Sequence, residues 1–191
     1  MRIGILGSGV VGQSLSSGYS RHSHETRVGT RDTFAEVAEW GDLCVLAVGG
    51  AHAVDVVTKV ADALADKVLI DATNPLDHSS GTPGLAYGFD DSLGERVQRA
   101  APRARVVKCY NTVGAPVMVD PHFGGVAPTM FLCGDDEAAK AQVAQLLEET
   151  GWESSDLGGI DASRYLEPMC IAWVRHGLRT GTWTHAFKML S

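Results

Sequence analysis

The sequence predicts an α/β chain: a doubly wound, mainly parallel sheet with a small C-terminal helical extension. Three observations carry this. Short β-forming runs recur at 2–6, 26–29, 43–48, 67–71, 105–109 and 129–133, most of them nearly all apolar, as strands covered on both faces are. Segments with helical spacing separate most of these runs. Glycine supplies 22 of 191 residues, above the usual ~7%. It gathers at the ends of the runs, where turns and close backbone approaches fall.

The elements follow in order. Residues 2–6 (RIGIL) lead straight into Gly7-Ser8-Gly9-Val10-Val11-Gly12 and a helix from Val11 to about Ser20. After the run at 26–29, one short helix fits between Thr33 and Trp40, and Asp32 is placed to cap it. The run 43–48 ends in a glycine turn, Val48-Gly49-Gly50-Ala51-His52-Ala53. A helix follows, with Ala53, Val56, Val57, Val60 and Leu64 on one stripe. A further helix spans Glu137–Thr150, burying Val143, Leu146 and Leu147. Asp161 can cap a last helix carrying Leu166, Met169, Cys170, Trp173 and Val174, which Pro168 should kink or break. We read 1–157 as the nucleotide-binding domain and 158–191 as a helical extension packed on it. The long loops 76–91 and 114–127 are candidate lids or substrate loops.

Composition excludes several classes. The chain is 45% hydrophobic and 20% charged, which fits neither a disordered nor a fibrous protein. A net charge of −7 is the wrong sign for a nucleic-acid binder. Cys44, Cys109, Cys133 and Cys170 form no C-x-x-C pair, so neither a disulfide framework nor a zinc site is indicated. The N-terminal apolar run is too short for a signal peptide, and no run approaches the ~18 residues of a membrane span. A cytoplasmic location is expected.

The chemistry concentrates at the strand ends. In Gly7-Ser8-Gly9-Val10-Val11-Gly12, Gly7 permits the turn, Gly9 lets a pyrophosphate approach the backbone, and Gly12 lets helix pack on strand. The phosphates would rest on the helix N-terminus, whose free N–H groups favour anions. A glycine triplet occurs by chance in a glycine-rich chain, but here it follows a first strand and opens a helix, the Rossmann context. After the second strand, chains that take NAD place a carboxylate. Here Thr30 and Arg31 stand instead, a hydroxyl beside a guanidinium able to clamp a 2′-phosphate, so NADP is expected. The turns Val48–Ala53, Asp71–Pro75 and Tyr110–Gly114 fall at the same edge.

Other polar groups have ordinary readings. His52 could touch a phosphate or ribose, or cap its helix. His22 and His24 read as a solvated loop rather than a metal site, and Trp183 and His185 as packing. Arg96, Arg99, Arg103, Arg105 and Lys108 read as a solvated helix face and loop, and Arg164, Arg175 and Arg179 are read with the same caution. No catalytic and no metal-ligating residue is assigned.

The blocks RIGILGSGVVG, VGTRD, DATNPL, VVKCYNTVG, MFLCGDDEAAK, DASRYLEP and HAFKML resemble the NADPH-dependent coenzyme F-420 (deazaflavin) oxidoreductases. The chain is also similar to the NADP-binding domain of the six-transmembrane metalloreductases. The first resemblance implies that Gly7, Ser8, Gly9, Val10, Val11 and Gly12 hold the pyrophosphate and that Thr30 and Arg31 take the 2′-phosphate. It further implies that Val48, Gly49, Gly50, His52, Ala53, Asn74 and Pro75 border the cofactor, and that the chain pairs into a homodimer. Between Arg31 and Leu43 the chain departs from the family by lacking a helix–strand element, and 76–91 matches only in part. The expected activity is hydride transfer between NADPH and a planar acceptor, a deazaflavin or flavin, which needs no strong acid. Reduction of a small carbonyl or imine is the alternative, with His52, Tyr110 or Lys108 as proton donor. A non-enzymatic NADP sensor is the third reading.

Overall fold

Alternation along the first strand sets the architecture. The computed structural model describes residues 1–190. In β1 (Arg2–Leu6), Ile3 and Ile5 enter one core cluster and Leu6 the other, so the strand is covered on both faces. The chain continues through α1 (Val10–Arg21), β2 (Glu25–Gly29), α2 (Phe34–Trp40), β3 (Leu43–Leu46), α3 (Gly50–Val60) and β4 (Val68–Asp71). A hairpin of β5 (Leu76–Asp77) and β6 (Gly84–Leu85) leads to α4 (Leu93–Ala100) and β7 (Arg105–Lys108). Then come β8 (Thr129–Leu132), α5 (Glu137–Glu149), β9 (Glu153–Asp156) and α6 (Ser163–Thr180).

Five strands pair in parallel in the order β2-β1-β3-β4-β7. The doubly wound, mainly parallel sheet expected from the sequence is present. One layer packs α1 and α5 on it through Leu15, Tyr19, Val143, Leu146 and Leu147. The other packs α2, α3 and α4 through Val37, Ala53, Val57, Leu93 and Val97. Beyond β7 the direction reverses: Lys108 and Cys133 form an antiparallel bridge, with N–H to carbonyl distances of 2.9 and 3.2 Å. That bridge attaches the parallel pair β8–β9.

Local chemistry explains the helix starts. Ser92 accepts from the Glu95 N–H at 3.2 Å and donates to the Glu95 carboxylate at 2.7 Å, a reciprocal cap for α4. Asp136 accepts from the Ala139 N–H at 2.7 Å and caps α5.

Three local expectations are corrected. Thr33, not Asp32, precedes α2, and its hydroxyl accepts from the Thr30 N–H at 2.9 Å. Asp161 lies inside a 3-10 turn, Ile160–Ala162, and Ala162 precedes α6. That helix runs unbroken through Pro168. Proline forfeits the bond to the Arg164 carbonyl, but tertiary bonds to Leu166 and Glu167 hold the adjoining turn. No helix among the described residues is long and apolar enough to cross a membrane.

Candidate functional site

The chain leaves β1 toward β2 on one side and crosses to β3 on the other, so the strand order reverses at β1. Such a reversal opens a crevice at the carboxyl ends of the strands. A cleft of about 240 Å³ lies there. Gly7, Ser8 and Gly9 form its floor, Thr30, Arg31 and Phe34 one wall, and Ala47–Gly49, His52 and Val56 the other.

The three motif glycines are required for different reasons. Gly7 has φ +143°, and a Cβ there would collide with the Ala47 carbonyl. A Cβ on Gly12 would strike the Gly7 carbonyl, so α1 packs on the turn only without one. Gly9 differs: its backbone is extended, with φ −74° and ψ −177°, and a Cβ there meets no atom within 4 Å. Neither its conformation nor its protein neighbours call for glycine. Its bareness widens the cleft and nothing else.

At one end of the cleft the Arg31 guanidinium is exposed and makes no ion pair among the described residues. Thr30 carries its hydroxyl beside it. On the opposite wall, α3 begins at Gly50 without a side-chain cap, and the His52 N–H is taken by the Gly49 carbonyl at 2.8 Å. His52 sits in that first turn.

Further along the sheet edge, β4 and β7 end in a polar network. Lys108 is fully buried, with its ammonium 3.0 Å from both Asp71 and Glu167. Burial opposes its charge, but the two carboxylates outweigh burial and hold its pKa above the ordinary lysine value. Asn74 Nδ2 donates to the Asn111 carbonyl at 2.8 Å, and Asn111 Nδ2 donates to Asn74 Oδ1 at 3.2 Å. Asn111 Oδ1 is buried and has no partner among the described residues.

No family model matches the chain. A protein from Methanothermobacter marburgensis, an F420-dependent NADP reductase, is 30% identical over 140 residues, covering 71% of this chain and 62% of its own length. The rat metalloreductase STEAP3 is 26% identical over 182 residues, 87% of this chain and 36% of that protein. A crystal structure from Arthrobacter sp. FB24, provisionally assigned as an F420-dependent NADP-reductase, superposes with a TM-score of 0.95 at 37% identity. It covers 100% of both chains. The chain belongs to the F420-dependent NADP reductase family. It spans under two thirds of the length of the curated relatives it matches.

Within this family chain, the residues named from sequence divide. Gly7, Ser8, Gly9, Thr30, Arg31, Val48, Gly49 and His52 line the cleft. Val10, Val11, Gly12, Gly50 and Ala53 shape the two helix starts behind it, with Gly12 and Ala53 buried. Asn74 and Pro75 stand outside the cleft lining, where the Asn74 carbonyl abuts Gly50. Sequence reasoning missed Phe34, Ala47 and Val56. Val56 lies one helical turn beyond His52, a spacing that could have found it. Phe34 opens the helix directly after Thr30 and Arg31, and only tertiary packing turns it inward.

Two candidate proton donors are corrected. Lys108 is enclosed by its carboxylates, and Tyr110 is fully buried with its hydroxyl accepting from Tyr19 at 3.0 Å. Burial pushes the Tyr110 hydroxyl pKa well up. Of the three donors considered for carbonyl chemistry, only His52 reaches the cleft. The clustered arginines are engaged: Arg96 and Arg99 bind Asp91, Arg103 binds Asp66, and Arg164 binds Glu95. His22 and His24 pair with Asp120 and Glu149, and no group of three metal-ligating side chains occurs among the described residues.

Proposed function

We propose that this chain is an NADP(H)-dependent oxidoreductase that passes a hydride between NADPH and a planar acceptor of the deazaflavin or flavin class. The observation that carries the reading is the empty space at Gly9, a position whose lack of a side chain serves only something that approaches its backbone. The residues fit a phosphorylated dinucleotide. Gly9 and the start of α1 would receive the pyrophosphate on free N–H groups. Thr30 and Arg31 would take the 2′-phosphate through a hydroxyl and a planar fork of donors.

When bound, the nicotinamide would supply the hydride chemistry. The chain's own part is to orient the cofactor and keep the transfer path dry. A planar acceptor of this class needs no strong acid, which matches a cleft whose titratable wall holds His52 alone beside Arg31. The names of the relatives support both the cofactor and the acceptor class.

Calorimetry with NADPH and NADH tests the cofactor. NADPH is expected to bind at least about 10-fold more tightly, since bonds to a charged group contribute about 1.5–3 kcal/mol. Arg31→Glu should abolish that preference. Equal binding of the two cofactors, or an Arg31→Glu protein with intact NADPH affinity, sinks the reading. Screening NADPH oxidation against a 5-deazaflavin, FMN, FAD and ferric complexes then identifies the acceptor; no turnover with any of them favours a sensor.

A further inference from the structure

We infer that Lys108 is a positioning residue, whose buried ammonium fixes the Thr73–Pro75 turn and α6 against each other so that the nicotinamide half of the cofactor meets a rigid wall. The inference rests on the dinucleotide reading above and deepens it.

The bonds around Lys108 close into a ring. Its ammonium binds Asp71 Oδ2 and Glu167 Oε1, each at 3.0 Å. The other Asp71 oxygen accepts from the Thr73 N–H at 2.9 Å and the Thr73 hydroxyl at 2.6 Å, which shapes the turn. The adjoining Asn74 clasps Asn111 through two bonds. Asn111 Nδ2 also donates to the Leu166 carbonyl at 2.9 Å, and Leu166 is followed by Glu167. Glu167 accepts from the N–H groups of Leu93 and Gly94 at 3.0 and 2.9 Å, so the start of α4 joins the ring. One ammonium thereby relates β4, β7, α4 and α6.

The charge count shows what the ring is for. Two carboxylates and one ammonium are all buried, and the second carboxylate relies on the N–H groups of α4. A dry ionic trio is a poor way to gain stability, because apolar side chains of the same volume do as well. What apolar packing cannot do is dictate which oxygen faces which backbone group. The trio supplies orientation.

Sheet order says what is oriented. Arg31 follows β2, the glycine turn follows β1, and the cleft extends to the turn after β3. A dinucleotide laid from Arg31 across that turn puts its second nucleoside toward β4, where Thr73, Asn74 and Pro75 stand. The ring lies at that end and touches no residue of the Arg31 wall.

The test separates the two halves. Lys108→Met is compared with the parental protein for calorimetric affinity to 2′,5′-ADP, which carries the 2′-phosphate but no nicotinamide. Single-turnover hydride transfer from NADPH to a 5-deazaflavin is measured alongside. The expected result is 2′,5′-ADP affinity within about twofold of parental and hydride transfer slower by about 100-fold, the penalty of misplacing reacting atoms by an ångström. A folded Lys108→Met with parental hydride transfer overturns the proposal, as do equal losses of both properties, which mean general loosening. Should Lys108→Met fail to fold, Thr73→Val decides: it removes one hydroxyl bond and strands no charge. A roughly 10-fold slower transfer with unchanged 2′,5′-ADP binding is then expected, and an unchanged rate overturns the proposal. A parental protein that binds neither 2′,5′-ADP nor NADPH marks instead the failure of the dinucleotide reading, and this proposal falls with it.

Discussion

Trp173 and His185 hold each other twice. The indole Nε1 donates to the His185 carbonyl at 2.8 Å, His185 Nε2 donates to the Trp173 carbonyl at 3.0 Å, and the rings stack with centroids 4.6 Å apart. The pair ties the C-terminal tail to α6. The Trp173 ring also abuts Gly114, in the loop after β7, where a Cβ would come within 3.0–3.1 Å of it.

Trp173→Ala should therefore release the tail. Removing a buried tryptophan costs about 3–5 kcal/mol, readable as a lower urea midpoint together with faster proteolytic cleavage beyond Thr180. Trp183→Ala should cost less, because that ring is 42% exposed. Equal losses in the two variants would show that the paired backbone bonds do not anchor the tail.

The motif glycines predict a split between folding and binding. Gly9→Ala adds a methyl to open space on extended backbone and should leave the thermal midpoint near parental while weakening NADPH binding. Gly12→Ala drives a methyl into the Gly7 carbonyl and should cost about 1–3 kcal/mol of stability, as overpacking does. Thermal melts and NADPH titrations of both variants provide the check. An equal loss of stability in both would mean that Gly9 has a structural reason after all.

The helix cap at α4 predicts an acid response. Arg164 binds Glu95 through two bonds of 2.9 and 2.6 Å, and those bonds hold the Glu95 carboxyl below its ordinary value against the opposing effect of burial. A carboxylate with a depressed folded pKa contributes stability above its unfolded pKa, near 4.3. That contribution is lost as pH falls through the folded value. Arg164→Gln should raise the pH at which acid unfolding begins, with little change near neutrality beyond the loss of one ion pair. Denaturation curves across the acid range test this, and superimposable acid limbs contradict it.

How far the sequence was legible follows from these same residues. Strands buried on both faces, such as Leu43–Leu46 and Val68–Asp71, announce themselves by composition. The glycine turn announces itself by position, directly after the first strand and before a helix. β9 went unread because Glu153–Asp156 is polar and mostly exposed, and its pairing with β8 leaves no apolar signature. Lys108 was counted among surface cations because five basic residues fall close together. Its burial depends on Asp71 and Glu167, which are 37 and 59 positions away in sequence and meet it only after folding. Local pattern reports what a residue does with its neighbours along the chain, and neither carboxylate is one of those.

The cleft and the wall proposed beyond it are also made at different times. Every residue lining the cleft, from Gly7 to Val56, has been synthesised before a third of the protein exists. The second counter-ion for Lys108 emerges only with Glu167. During synthesis the proposed purine-side grip is complete early, while the far wall inferred around Lys108 waits for the last helix. A nascent chain could thus gain a nucleotide's stabilising hold on its first strands well before it is competent for turnover.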